Sequence, residues 1–312
     1  MTRLLSIGAA FILLLLTLCL YHPVAAESTT GICLASPAQW NIPRFLGWFL
    51  DALAIALAVF LITESNKKFL FVHEGEPVVS MGLLLIAACS CPTTVLLSSS
   101  TLLLLVNVGI LFLLFLSYES WNASRSFFLM ASTIAIGSMF QYAFLFMIPV
   151  CIGGGLMMKS FHIRELFAFI FGLAAPYWIA IGLGWVSFDS FRSLEIHTAF
   201  SAGRLDASTV PAFVGSAILA IGALVMALYN GLRLYSRNSR LRCMHLTINL
   251  LGMVAGIALI FDHSNFLTYY GTLSLWFAVE IASVFDLYQL RKPQIALLIS
   301  LLIFLPIYII QL

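Results

Sequence analysis

The chain has 312 residues, of which 62% are hydrophobic and 9% are charged, with 15 basic and 13 acidic residues. Soluble domains carry about 25% charged residues, so this chain lacks the polar side chains that would cover a water-facing surface. It also lacks a run of like charges, which argues against binding to nucleic acid. The composition predicts a polytopic membrane protein without a sizeable aqueous domain.

The first 26 residues have the features of a secretory signal. Arg3 precedes an apolar run from Leu4 to Tyr21, and Val24-Ala25-Ala26 supplies small residues of the kind found at cleavage sites. The run is also long enough to remain as a membrane span. Residues 1–26 are therefore interpreted as a signal anchor or a cleavable signal peptide, and residues 27–312 as a single transmembrane domain.

Apolar runs long enough to cross a bilayer continue along the rest of the chain. The runs of single-span length are Phe45–Ile62, Leu166–Val186, Val210–Leu232, Met244–Phe261, Phe266–Phe285 and Gln294–Leu312. The uncharged run Val78–Tyr118 is long enough to cross twice. Its stretches Cys91-Pro92-Thr93-Thr94 and Ser98-Ser99-Ser100-Thr101 indicate where the chain turns.

The uncharged segment Phe127–Met158 is too long for one ordinary span and too short for two full ones. Basic residues favour the cytoplasmic side of a membrane, and two short crossings or a re-entrant hairpin would place most of them together. On that side would lie Arg3, Lys67, Lys68, Arg125, Lys159, Arg164, Arg233, Arg237, Arg240, Arg242, Arg291 and Lys292. A single crossing would instead put the four arginines between 233 and 242 outside.

The sequence therefore predicts an all-α polytopic protein with about 11 passes, including short paired helices. We expect it in a bacterial inner membrane, with a cytoplasmic N-terminus and a periplasmic C-terminus. The six cysteines have no His or Cys at metal-ligand spacing, so we predict neither a metal site nor a cofactor. Common hydrolase, metalloprotease and ATPase motifs are absent from the sequence.

Two carboxylates fall inside predicted spans, where ionisable groups are costly and therefore informative. Asp51 lies roughly 9 Å below the outer end of its span. It is either a candidate catalytic base facing an outward cavity or a carboxylate near the helix end that pairs with Arg44. Glu280 lies roughly 21 Å from the outer end of its span, and it is either a proton site or a hydrogen-bonded packing carboxylate.

The longest predicted external loop, 187–209, has features of a short helix lying in the membrane interface. Phe188, Phe191, Leu194 and Ile196 recur near helical spacing, and polar residues fall largely between them. The polar set is a candidate site for a phosphate or sugar headgroup, although its charges could equally pair with one another on an ordinary surface helix. Its members are Asp189, Arg192, Glu195, His197, Arg204 and Asp206.

Within that set, the residue types suggest different roles. Glu195 is the second candidate catalytic base, and Arg192 and Arg204 are candidates for a phosphate clamp. Asp262 and His263, in another short external loop, could complete the site.

A resemblance to a known family rests on the stretch from His162 to Trp178. This stretch follows the Pro149 helix and ends with Gly172 and Pro176-Tyr177. It resembles a family of uncharacterised polytopic inner-membrane proteins from the Bacteroidota, in which an Arg-Glu pair opens a span that closes on Gly and Pro-Tyr. The turn Asn66-Lys67-Lys68-Phe69 is similar too. This resemblance covers residues 60 to 185 and implies no particular activity.

A more distant resemblance is to the membrane part of glycosyltransferases that use polyprenyl-phosphate sugars. It rests on the cytoplasmic N-terminus, the number of passes and the paired short helices, and it implies a similar fold and a lipid-linked ligand. Those enzymes keep an acidic catalytic residue in the first external loop. In this chain that loop offers Glu27, and Asp51 lies further along, inside the span.

We therefore expect a protein that handles a lipid-linked envelope glycan at the periplasmic face, and whether it is an enzyme stays open. One alternative is a non-enzymatic membrane assembly partner. Another is a proton-coupled small-solute transporter that uses Glu280. The expected partners are membrane lipids, a polyprenyl-phosphate-linked ligand and other membrane proteins.

Overall fold

The structure is a computed structural model that describes residues 31–34, 40, 42–72, 76–89, 97–187, 189, 191, 210–234, 238–262 and 265–288. These residues form helices and no strand. The α-helices are α1 Arg44–Phe69, α2 Glu76–Cys89, α3 Ser99–Leu116, α4 Ser124–Phe140, α5 Ile148–Met157, α6 Ile163–Gly182, α7 Val210–Leu234, α8 Ser239–Phe261 and α9 Phe266–Tyr288. A 3-10 helix, Tyr142–Met147, joins α4 to α5. The predicted spans 4–21 and 294–312 lie outside the described residues.

Five helices in the described part of the chain are long and apolar enough to cross a membrane. They are Phe45–Phe69, Ser99–Leu116, Ile163–Gly182, Ala212–Leu232 and Ser239–Phe261. For the described residues, the prediction of an all-helical protein with helices long and apolar enough to span a membrane is confirmed, and this is compatible with a multi-pass membrane protein.

Helix α1 continues beyond the predicted end at Ile62 to Phe69. The long side chains of Lys67 and Lys68 in its last turn are exposed and can reach water while the backbone stays helical. Leu70 then ends the helix in the left-handed conformation, with φ of 54°, and its N–H donates to the carbonyl of Asn66.

The helices run up and down, so the bundle has two ends. Helices α1 and α3 are parallel, because Asp51 meets Thr101 near their starts and the rings of Phe69 and Phe112 meet near their ends, with centroids 5.8 Å apart. Helix α2 follows α1 in the chain and packs against α1 and α9. We call one end of the bundle the basic end, because the described elements bring these residues to it: Lys67, Lys68, Arg125, Lys159, Arg164, Arg240 and Arg242.

The segment containing α4, the 3-10 helix and α5 leaves the basic end and returns to it. The helix breaks at Gln141, whose backbone is extended with φ of −152° and ψ of 114°. At the return, the N–H of Glu119 donates to the carbonyl of Met158 at 2.9 Å, and Lys159 Nζ lies 3.4 Å from Glu119 Oε1. Residues 127–158 therefore begin and end at the basic end of the bundle, as two short crossings or a re-entrant hairpin would.

Helix α9 occupies the centre of the bundle, in contact with α2, α3, α7 and α8. Every side chain from Phe266 to Phe285 is buried except that of Val284, which is partly buried. A helix that is apolar on all sides is typical of a core position. Its few polar residues are consequently surrounded by neighbouring helices, and each needs a partner among them.

Candidate functional site

Glu280 lies in the half of α9 nearer the basic end, and none of its surface is exposed. Asn230 on α7 donates from Nδ2 to the carboxylate Oε2 at 2.5 Å and to the Glu280 backbone oxygen at 3.0 Å. The second carboxylate oxygen, Oε1, is buried without a hydrogen-bond partner. Oε2 is therefore held by Asn230, and Oε1 can still accept a hydrogen bond or carry a proton.

His245 on α8 faces the available oxygen. Its Nδ1 lies 4.0 Å from Glu280 Oε1 and is also buried without a hydrogen-bond partner. Its Nε2 lies 3.0 Å from the carbonyl oxygen of Phe71. A carbonyl oxygen can only accept, so we assign the hydrogen of the ring to Nε2.

This assignment has a chemical consequence for the pair. With hydrogen on Nε2, the neutral imidazole presents a lone pair at Nδ1, and an ionised carboxylate presents lone pairs at Oε1. Two acceptors that face each other in a buried site are unfavourable unless one proton lies between them. A proton on either atom would remove this repulsion, so the geometry makes the pair a candidate site for one proton.

A cavity of about 330 Å³ reaches His245 from the basic end. It lies between α7 and α8 and is lined by Gly231, Ser239, Arg242, Cys243, His245, Leu246 and Asn249. Leu246 is 52% exposed, so the cavity opens at the surface of the bundle. Asn249, in its wall, accepts a hydrogen bond from Trp276 Nε1 of α9 at 2.9 Å. The cavity thus leads from the surface of the bundle to His245, one member of the His245–Glu280 pair.

A second buried polar cluster lies at the opposite end, around Asp262. The carboxylate accepts from Tyr142 at 2.7 Å, from Tyr269 at 2.9 Å, and from Asn265 at 2.9 and 3.1 Å. Asn265 also donates to Tyr142 and accepts from Gln141 at 3.2 Å. The cluster joins the break after α4 to the turn between α8 and α9, which makes it a structural tie between these elements.

Asp51, the first candidate catalytic base, is 3% exposed. Thr101 donates to its Oδ1 at 2.5 Å, so the carboxylate links the first turns of α1 to the start of α3. The side chain of Arg44, its alternative predicted partner, lies outside the described residues. The hydrogen bond to Thr101 could not be anticipated, since the two residues are far apart in the sequence.

The other predicted site residues are described only in part. Asp189 is exposed, and Asp262 is buried in the cluster above. Arg192, Glu195, His197 and Arg204 lie outside the described residues, together with Asp206 and His263. A headgroup site on this loop, and with it the handling of a lipid-linked glycan, therefore stays a prediction.

Sequence reasoning found Glu280 and missed its two partners. Asn230 and His245 each lie within a predicted span, and a polar residue in an apolar run is a signal for a buried contact or a functional site. The pairing itself depends on how α7, α8 and α9 pack, which no local pattern encodes.

Among the described residues, no group of three or more His, Cys, Asp or Glu side chains is arranged to hold a metal ion. Comparison of the chain with protein-family models, with curated proteins and with solved structures found no match.

Proposed function

We propose that the protein is a proton-coupled carrier of a small solute in a bacterial inner membrane. The observation that carries the proposal is the pair of buried, unpartnered atoms, His245 Nδ1 and Glu280 Oε1, that face each other at 4.0 Å. Ionisable side chains at such depth are expensive and mark proton relays and substrate pathways in membrane proteins. The cavity that ends at His245 supplies a place for the solute.

The same geometry supports a link between the proton and the packing of the helices. When the proton is present, the carboxyl group and the imidazole attract each other across the contact between α8 and α9. When it leaves, two acceptors face each other in a site of low dielectric, which destabilises that contact. Proton binding thus favours one arrangement of α8 against α9, and a solute that prefers the same arrangement is coupled to the proton.

We infer the orientation from the distribution of charge. The described elements collect basic residues at one end of the bundle, and the positive-inside tendency assigns that end to the cytoplasm. The N-terminus then begins in the cytoplasm, and with about 11 passes the C-terminus lies in the periplasm. Reporters fused after Leu312 check this: alkaline phosphatase should be active there and a fluorescent protein dark, and the reverse pattern would contradict it.

The function is tested with purified protein in proteoliposomes. An imposed proton gradient should accelerate the uptake of radiolabelled small solutes, and Glu280→Gln should abolish the acceleration while leaving exchange of the solute across the membrane. Glu119→Gln is the matched control, because Glu119 is a half-exposed carboxylate at the same end of the bundle. Uptake by Glu280→Gln that still responds fully to the gradient would remove the proposal.

A further inference from the structure

The connection that follows α1 presents a backbone oxygen to the His245–Glu280 pair. Leu70 ends α1 in the left-handed conformation, and the carbonyl oxygen of the next residue, Phe71, lies 3.0 Å from His245 Nε2. Phe71 and His245 are both buried. The partner of one ring nitrogen decides which nitrogen of a neutral imidazole carries the hydrogen. The direction of the Phe71 carbonyl group therefore sets the tautomer of His245.

Asn66, near the end of α1, fixes the residues on either side of Phe71. Its side-chain Nδ2 donates to the backbone oxygen of Val72, and its Oδ1 accepts from the Val72 N–H, both at 2.8 Å. Its backbone oxygen accepts from the N–H of Leu70 at 2.7 Å. Asn66 and Val72 are fully buried, where hydrogen bonds are stronger than in water. Asn66 thus holds the Phe71 carbonyl group in its direction towards the imidazole.

Asn230 restricts the proton at the other member of the pair. Its Nδ2 donates to the backbone oxygen of Glu280 at 3.0 Å, and this contact fixes the orientation of the amide, because a carbonyl oxygen can only accept. The same nitrogen lies 2.5 Å from Oε2 of the carboxylate, so Oε2 must also accept. A carboxyl hydrogen then has its place on Oε1, the oxygen that faces His245 Nδ1 at 4.0 Å.

We propose that Asn66 is a positioning residue for the proton of the His245–Glu280 pair, an inference that rests on the proposed carrier function. With the ring hydrogen held on Nε2, an ionised Glu280 faces a lone pair, and a proton from outside the pair relieves the repulsion. When the Phe71 carbonyl group is released, the ring can carry its hydrogen on Nδ1 and donate it to Oε1. The pair is then satisfied without an added proton.

The two tautomers therefore differ in the number of protons that the pair takes up. With hydrogen on Nε2, the pair has one negative charge before it binds a proton and none afterwards. With hydrogen on Nδ1, the carboxylate keeps its charge and accepts a hydrogen bond from a neutral ring. The first arrangement alone makes the contact between α8 and α9 depend on an added proton, which is what coupling requires.

Nitrogen-15 NMR reads the tautomer directly, because ring nitrogens with and without a hydrogen resonate in separate regions. The full chain is labelled with nitrogen-15 histidine and placed in phosphatidylcholine nanodiscs, and the signals that disappear in His245→Gln identify His245. In the parent protein at neutral pH, Nε2 should carry a hydrogen whether the added proton resides on Glu280 or on the imidazole. A parent protein in which most molecules lack hydrogen on Nε2 would overturn the proposal.

Variants at position 66 test the role of the asparagine. Asn66→Leu removes both side-chain bonds to Val72 at similar volume, and Asn66→Ala removes them without a new contact. Both should increase the share of molecules without hydrogen on Nε2 several-fold. If this share stays as in the parent protein in the correctly folded variants, the proposal fails.

The matched control for loss of a buried amide is Asn107→Leu. Asn107 on α3 is as fully buried as Asn66, and its Nδ2 donates to Thr272 Oγ1 at 2.7 Å. Thr272 lies about two helical turns from Glu280 along α9. The hydrogen of His245 should remain on Nε2 in this variant. A loss equal to that in Asn66→Leu would assign the effect to general loosening of the bundle and contradict the positioning role.

The result is separable from that of the carrier proposal. In proteoliposomes, Asn66→Leu should lose the acceleration by the proton gradient and keep exchange of the solute. A changed tautomer, in a protein whose parent shows no gradient-driven uptake, would retain the action of Asn66 on His245 and remove the carrier. Gradient-driven uptake that is equal in the parent and in Asn66→Leu would retain the carrier and remove the positioning role.

Discussion

Gly252 on α8 lies directly against the indole ring of Trp276 on α9, so closely that a Cβ atom at position 252 would overlap the ring. Trp276 is almost fully buried, and its Nε1 donates to Asn249 on the same face of α8. The absent side chain thus sets the distance between the two helices that carry the His245–Glu280 pair.

Substitution of Gly252 by Ala should destabilise the protein, because the ring and both backbones have to move apart. Overpacking of a well-packed core costs about 1–3 kcal/mol. Gly256→Ala is the control on the same helix, since a Cβ at that position meets nothing within 4 Å. Thermal unfolding in detergent should show a lower midpoint for Gly252→Ala only, and equal midpoints for both variants would contradict the packing.

The Asp262 cluster should contribute to stability through hydrogen bonds to a buried carboxylate. Tyr269→Phe removes one donor, and loss of a hydrogen bond to a charged group costs about 1.5–3 kcal/mol. Asp189→Asn serves as the control, because Asp189 is an exposed carboxylate. Chemical denaturation should separate the two variants, and a Tyr269→Phe protein as stable as the parent would argue against the cluster.

Thr101→Val should leave the buried Asp51 carboxylate without its hydrogen-bond donor at nearly constant volume. An unpaired buried polar group costs about 1–3 kcal/mol, and more if it is charged. In an Asp51→Leu background the same change should cost much less, since no carboxylate then remains. A double-mutant cycle on unfolding free energies measures this coupling, and additive effects would show that the two residues do not interact.

Two exposed tryptophans should report the two sides of the membrane. Trp121 is 86% exposed in the turn between α3 and α4 at the basic end, and Trp185 is 71% exposed after α6 at the other end. In intact spheroplasts, a membrane-impermeant maleimide should label Trp185→Cys, and should label Trp121→Cys only after permeabilisation. The opposite pattern would invert the assigned orientation.

Cys33, which precedes α1, should react slowly with maleimides at neutral pH. Burial raises the pKa of its thiol above the ordinary value, and only the thiolate is nucleophilic. Because the pKa is raised, the fraction of thiolate at pH 7 is smaller than in a free thiol, and the rate should reach half its maximum at a higher pH. Glutathione measured in the same buffers provides the reference titration.

The sequence anticipated the helices better than the contacts between them. The end of α8 at Phe261 was predicted to the residue, because Asp262 bounds the uncharged run there. Asp262 lies in the connection between α8 and α9, where the sequence placed it. Its burial could not be predicted, because the hydrogen bond from Tyr142 comes from a distant part of the chain. Glu280 could be found as a carboxylate in an apolar run, whereas its pairing with His245 depends on helix packing.

The central position of α9 has a consequence for biosynthesis. Helix α9 is the last described helix to leave the ribosome, yet α2, α3, α7 and α8 all pack against it. Until Phe266–Tyr288 has been inserted, Asn107 on α3 and Asn249 on α8 lack the side chains of Thr272 and Trp276 that they bind. The earlier helices therefore enter the bilayer without the central helix against which they pack. A chain that stops before residue 266 should be a substrate for membrane quality control.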